Sequence, residues 1–284
     1  QKEGSLFEGE ITAAQLRDDD ENSLASYAPH FQCYLWACYL LVYQMSKNQL
    51  FLEIAEKGII NMMSRFPSGW KWTNSLSAEI SRMLLPLSYL YRVKKTEENK
   101  KNLLLMCDEV IACLDECGAV RDKIGDPAKG LYPPPQSNEA YGTTEASLIQ
   151  NNGDPATDLL YTANWSFLGL HEAACALKGE PEQGKVLNAE NALAEFLCKI
   201  QIKSADERYL FLDGAWMRSF DFQKWEYWGS SSDVGWGAWC VESGWSNTWI
   251  ITVMSLRCQN KSLFESICDV NSAPLINKLL KQMI

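Results

Sequence analysis

The feature that most constrains this chain is an alternation between two kinds of helical segment. Residues 31–43 carry no charge and are apolar around the whole circumference, the mark of a helix covered on every side. Residues 50–66 follow with Glu53, Glu56, Lys57 and Arg65 along one side, a helix that faces water. The couplet recurs. An apolar segment at 76–93 precedes one at 97–117, where Leu103, Met106, Val110, Leu114 and Cys117 keep the three-to-four spacing of an amphipathic stripe. A nearly uncharged segment at 159–177 stops at Gly179 and restarts after Pro181 as the charged helix 182–200, with Gly past an end and Pro near a start as helix punctuation. A last couplet begins at 245–257, and Ser262 and Glu265 are spaced as a capping box for the next helix.

Covered helix, short turn, exposed helix, repeated, predicts an all-α fold in which one layer of helices is sheathed by a second. The connections within couplets are short. Those between couplets, 68–75, 118–158 and 202–244, are long and all lead into a covered helix, so they gather on one face; long loops in compact domains are commonly functional. The runs 209–212 and 215–222 predict a small β-hairpin insertion near 209–228. A polar leader, 1–22, carrying the acidic run Asp18-Asp19-Asp20-Glu21, precedes a single domain over 23–284. No signal peptide is read in it.

Composition narrows the function. The chain has 284 residues, 46% of them hydrophobic and 22% charged, ordinary for a globular protein with a sizeable core. Its 26 Lys and Arg against 36 Asp and Glu give a net charge of -10, which disfavours a nucleic-acid partner. The longest apolar run, 33–42, is far short of the roughly 20 residues of a membrane span. Cysteines fall inside helical patterns with no Cys-x-x-Cys spacing, so they read as core thiols. The 2 histidines, His30 and His171, lie in apolar helical patterns and read as satisfied core residues. With no zinc spacing, no Walker loop and no dinucleotide fingerprint, no metal or cofactor is expected.

Of 11 tryptophans, seven fall between 216 and 249, interleaved with Gly and carboxylates. Flat apolar faces beside carboxylates are what a sugar site needs, for stacking and for proton transfer. Glu242 precedes the covered helix, whose first backbone N–H groups favour its ionised form; Asp233 faces it from the same loop. Glu139 and Glu145, near Tyr141, supply a second edge. These four carboxylates are the catalytic candidates. Trp70, Trp72, Trp236, Trp239 and Trp245, on loops or at helix starts, are the stacking candidates with Tyr141. Trp36 and Trp165 lie within covered helices and read as filling. Asp213 and Asp221, with Arg218 between, read as turn and salt-bridge residues, and Trp216, Trp225 and Trp228 as braces of the hairpin.

Two segments carry a resemblance. Gly153 to Asn164 holds Gly-Asp-Pro, then Asp-Leu-Leu-Tyr-Thr and Asn; the stretch close to Gly235 to Trp245 follows Trp-Gly-Trp-Gly-x-Trp-Cys-x-Glu-x-Gly-Trp, with Val234 in place of the first Trp. With the couplets, they resemble the bacterial carbohydrate-active proteins of the six-hairpin glycosidase superfamily, built as (α/α)6 toroids. The resemblance implies an extracytoplasmic glycoside hydrolase, degrading a polysaccharide or oligosaccharide with two carboxylates flanking the bond. Four couplets make only a partial ring of the six, the remaining hairpins being either absent from this sequence or supplied by another chain, so that further domains or hairpins of the same parent protein are expected partners. The alternative is a non-catalytic carbohydrate-binding or structural helical module.

Overall fold

The alternation resolves into helices whose ends are set by local chemistry. The computed structural model describes residues 27–131, 148, 149, 151–227, 241, 243–270, 274, 276 and 278. Helix α1 (Cys33–Ser46) is closed by Lys47 in the left-handed region. Helix α2 (Gln49–Ser64) starts at Asn48, whose side chain accepts the Leu50 N–H, and α3 (Leu76–Val93) starts at Ser75, whose hydroxyl accepts the Ala78 N–H. Thr96 caps α4 (Glu97–Ala112) in the same way. Helices α5 (Thr162–Ala176) and α6 (Gln183–Ile200) are separated by the turn through Gly179 at φ +85°. A π-helical turn, Ser243–Asn247, runs into α7 (Thr248–Gln259), and the expected capping box of Ser262 and Glu265 opens α8 (Leu263–Cys268).

Packing sorts these helices into two layers. Helices α3 and α5 are buried along almost their whole length and lie against each other; α1 packs on α3, and α7 on α5. Helices α2, α4 and α6 each bury one face, against α1, α3 and α5 respectively. The α3–α5 approach is close because small groups meet there. The hydroxyls of Ser81 and Ser166 are 2.8 Å apart, and a Cβ at Gly169 would lie 2.5 Å from the Leu84 Cβ. No described helix is long and apolar enough to cross a membrane.

Two expectations are corrected. The fourth helix does not reach Cys117 but ends at Ala112. There the chain doubles back: the Asp115 N–H donates to the Ala119 carbonyl, Leu114 bridges Val120, and Gly118 turns at φ +93° against the Ala192 carbonyl, where a Cβ would sit 2.2 Å from that oxygen. Residues 209–212 form no strand; they belong to a 3-10 segment, Glu207–Leu212, whose start Asp206 caps. The hairpin is smaller, β2 (Ser219–Asp221) against β3 (Glu226–Tyr227), with Trp225 at positive φ in its turn.

A third strand, β1 (Ala156–Asp158), completes an antiparallel sheet in the order β1-β2-β3, pairing Thr157 with Phe220 and Asp158 with Ser219. Backbone pairing thus ties the loop before α5 to the loop before α7. Their shared position is the N-terminal end of the buried helices.

Candidate functional site

Where the chain enters α3 and α5, the helix starts must satisfy their free N–H groups. Asp158 does so for α5, its Oδ1 accepting the N–H of Leu160 at 2.8 Å and of Tyr161 at 3.0 Å. Asp122 joins the two entrances. Its Oδ1 accepts the hydroxyls of Ser75 (3.0 Å), Ser77 (3.2 Å) and Thr162, and its Oδ2 accepts the Asp158 N–H at 2.9 Å. Both carboxyls are buried. Burial, and then the Asp158 charge, push the Asp122 carboxyl up to about 7; burial also raises Asp158, against the pull of Arg218 and Arg82.

One turn into α3, Glu79 and Arg82 form a buried ion pair at 3.0 Å. Glu79 is also held by donors from the preceding loops: the Thr73 N–H (3.1 Å) and hydroxyl (2.9 Å) on Oε1, and the His30 N–H (2.6 Å) on Oε2. The Thr73 hydroxyl has one proton, which goes to Glu79. His30 Nδ1, 3.3 Å from that hydroxyl, must then carry the hydrogen, leaving the lone pair on Nε2. Burial first, and the Arg82 charge second, lower His30 to about 4, so the imidazole is neutral at physiological pH. His30 is only half-buried and stands on this face, not in the core.

Over this polar floor lies an aromatic surface made by the first turns of three helices. Tyr34 of α1 meets Trp165 of α5 edge-on at 4.6 Å; Trp165 and Trp249 of α7 are 5.6 Å apart with planes tilted 37°. Tyr161 sits just before α5, and Trp245 of the π-turn meets it edge-on at 6.1 Å. The π-turn is fixed because Asn247 exchanges two hydrogen bonds with the Trp216 backbone, and the Trp216 indole donates to the Leu197 carbonyl. Arg82 lies 5.4 Å from the Tyr161 ring centre and 6.0 Å from that of Trp165; Arg218 approaches Tyr161 at 5.9 Å. Tyr34 and Trp245 remain 40% and 53% exposed, while Tyr161, Trp165 and Trp249 are partly buried.

The expected site residues fare differently. Trp245 stands on the aromatic surface. Trp70 and Trp72 are buried: the Trp70 indole donates to the Met62 carbonyl at 2.8 Å, and that of Trp72 to the Asp126 carbonyl at 3.0 Å. Gly125 and Gly130 press on the Trp72 ring so closely that a Cβ at either would collide with it, so neither indole offers a face for stacking. Glu139, Glu145, Asp233, Glu242, Tyr141, Trp236 and Trp239 lie outside the described residues. Trp36 fills the core as expected, and Trp165, partly buried, packs against that core while its ring also meets Tyr34 and Trp249. Asp213 and Asp221 accept backbone N–H groups in turns, as read from sequence.

Sequence reasoning missed Tyr34, Glu79, Arg82, Asp122, Asp158, Tyr161 and Trp249. One signal was there: Glu79 and Arg82 are charges one turn apart near the start of an otherwise apolar helix. Among the described residues, no group of three or more His, Cys, Asp and Glu side chains could hold a metal ion. At the opposite end of the buried helices, a cavity of about 300 Å³ is bordered by His171, Glu190 and Arg257. There His171 bonds Glu190 at 2.8 Å and the Lys261 carbonyl at 2.9 Å, a satisfied buried histidine. Comparison with family models, with curated proteins and with solved structures finds no match for this chain.

Proposed function

We propose that the chain is a carbohydrate-active protein, a glycoside hydrolase built on a partial ring of α/α hairpins, with its sugar site on the face formed by the starts of the buried helices. The observation that carries this reading is the aromatic cluster of Tyr34, Tyr161, Trp165, Trp245 and Trp249, exposed at Tyr34 and Trp245 and set beside buried carboxylates and guanidinium groups. Sugars stack their apolar C–H faces on such rings while polar groups bind their hydroxyls.

The described carboxylates position this surface rather than act on a bond. Glu79, Asp122 and Asp158 are buried and held by donors of the chain's own loops and helix starts. Acid and base roles therefore fall to Glu242 and Asp233, or to Glu139 and Glu145, on the loops that lead to the same face. The test is release of sugar from a polysaccharide panel by the wild type, Glu242→Gln and Trp165→Ala. The expected result is turnover by the wild type, at least 100-fold loss in Glu242→Gln, as for removal of one general acid or base, and weakened substrate binding in Trp165→Ala. Activity indifferent to substitution at all four loop carboxylates would overturn the assignment.

The burial of Glu79, Asp122 and Asp158, each held by hydrogen bonds of the chain itself, also favours a second reading, a module that binds glycan without turnover. Calorimetry with oligosaccharides distinguishes it, because such a module binds, loses binding in Trp165→Ala, and releases nothing.

A further inference from the structure

We propose that Arg82 makes part of the aromatic surface a carboxylate subsite, so that the preferred ligand is an acidic sugar, a uronate, rather than a neutral one. This rests on the carbohydrate reading above and narrows its substrate class.

The argument begins with an unused set of donors. The Arg82 side chain is 3% exposed, and an arginine this deep is normally hydrogen-bonded through most of its fork. Both of its hydrogen bonds leave from Nη1, to Glu79 Oε1 at 3.0 Å and to Thr73 Oγ1 at 3.4 Å. Nε and Nη2 carry three further N–H groups and have no acceptor among the described residues. The side chain is not wholly sealed, with 3% of its surface exposed. Nε and Nη2 form one edge of the planar guanidinium, the edge that grips both oxygens of a carboxylate.

The surroundings fit that use. The guanidinium lies beside the rings of Tyr161 and Trp165, and Trp165 continues into Trp249 and Tyr34. In this proposal a pyranose held against the aromatic cluster turns its ring carboxylate to Arg82. Rigidity is supplied by Glu79, which holds Nη1 and is itself fixed by the Thr73 and His30 backbone N–H groups. A neutral sugar offers only hydroxyls to the same edge. A carboxylate forms two charge-assisted hydrogen bonds there, each about twice as strong as a neutral one.

Calorimetry with trimers of galacturonate, glucuronate and mannuronate, and with their carboxyl-reduced neutral counterparts, tests this. At least one uronate trimer should bind tenfold or more tightly than its reduced counterpart. Arg82→Gln should bring the acid down to the level of the neutral sugar, and Arg82→Lys should recover only part of the preference. If Arg82→Gln does not fold because Glu79 is left unpaired, Glu79→Gln/Arg82→Gln removes both charges together and is read in the same way. Reduced trimers binding as tightly as the acids, or a preference that survives loss of Arg82, overturns the proposal and leaves the carbohydrate reading standing. If no trimer of either kind binds, the carbohydrate reading falls and the proposal falls with it.

Discussion

The two histidines of this chain occupy opposite ends of the buried helices and are tuned in opposite directions. His30 has Nδ1 turned to the Thr73 hydroxyl and feels the Arg82 charge; burial and that charge lower it to about 4. His171 has Nε2 donating to the Lys261 carbonyl, which can only accept. Its Nδ1 faces Glu190 at 2.8 Å, a bond that needs a proton on Nδ1 too, and hence the imidazolium. Burial works against that charge, but Glu190 and the Lys261 carbonyl outweigh it and His171 is raised above 6.5. With only 2 histidines, an NMR titration of the imidazole carbons resolves both without assignment by mutation. One resonance should titrate near pH 4 and the other above 6.5; two transitions close to 6.5 would refute both networks.

At the scale of elements, the close α3–α5 approach makes a sharper prediction than any helix propensity. In Gly169→Ala the new Cβ would lie 2.5 Å from the Leu84 Cβ, an atom fixed to its backbone. Alanine gains about 1 kcal/mol over glycine in a helix interior, but overpacking a tight contact costs roughly 1–3 kcal/mol, and at this separation the clash should win. Urea unfolding should show Gly169→Ala less stable than the wild type, with Leu84→Ala in the same chain relieving part of the loss; a stabilised Gly169→Ala would contradict the packing. Most helices were legible because burial leaves a mark on composition: the segment 76–93, largely apolar apart from Glu79, Arg82 and Arg92, and the one-sided 182–200 are α3 and α6 almost to the residue. What period alone could not give was the end of α4, where the apolar spacing continues through Leu114 to Cys117 while Gly118 turns the backbone away. The run 209–212 has strand-like residues, yet Asp206 at its start caps a 3-10 turn. In the candidate site, aromatics on long loops were readable and Trp245 is indeed exposed, but Trp70 and Trp72 look the same in sequence. Only the Met62 and Asp126 carbonyls waiting for their indoles, and the glycines against Trp72, separate a buried loop anchor from an open face.

For the whole molecule, buried ionisable groups set how stability follows pH. Asp122 has its folded value pushed up to about 7 from an ordinary 3.8, and Asp158 is raised beside it. A group raised on folding contributes stability that is complete below its unfolded value and is lost as pH rises through its folded value. For Asp122 that loss runs up to and through about pH 7; for His171, whose ordinary value is 6.5, it begins there and continues as pH rises. His30 is neutral throughout that upper range, and its own loss lies lower, as pH falls from 6.5 toward about 4. From pH 6.5 through about 7 the raised groups therefore act together, and Tm should fall across that range. The net charge of -10 acts in the same direction through self-repulsion, so the wild-type slope alone does not identify its source. Asp122→Asn does. Its amide oxygen can keep the Asp158 N–H, while its NH2 faces the Ser75, Ser77 and Thr162 hydroxyls, which rotate to accept. That variant should remain folded and show a visibly flatter decline in Tm across the same range, followed by circular dichroism at constant ionic strength. An unchanged slope would move the pH dependence away from the carboxyl pair that joins the α3 and α5 entrances, leaving His171 and the overall charge to account for it.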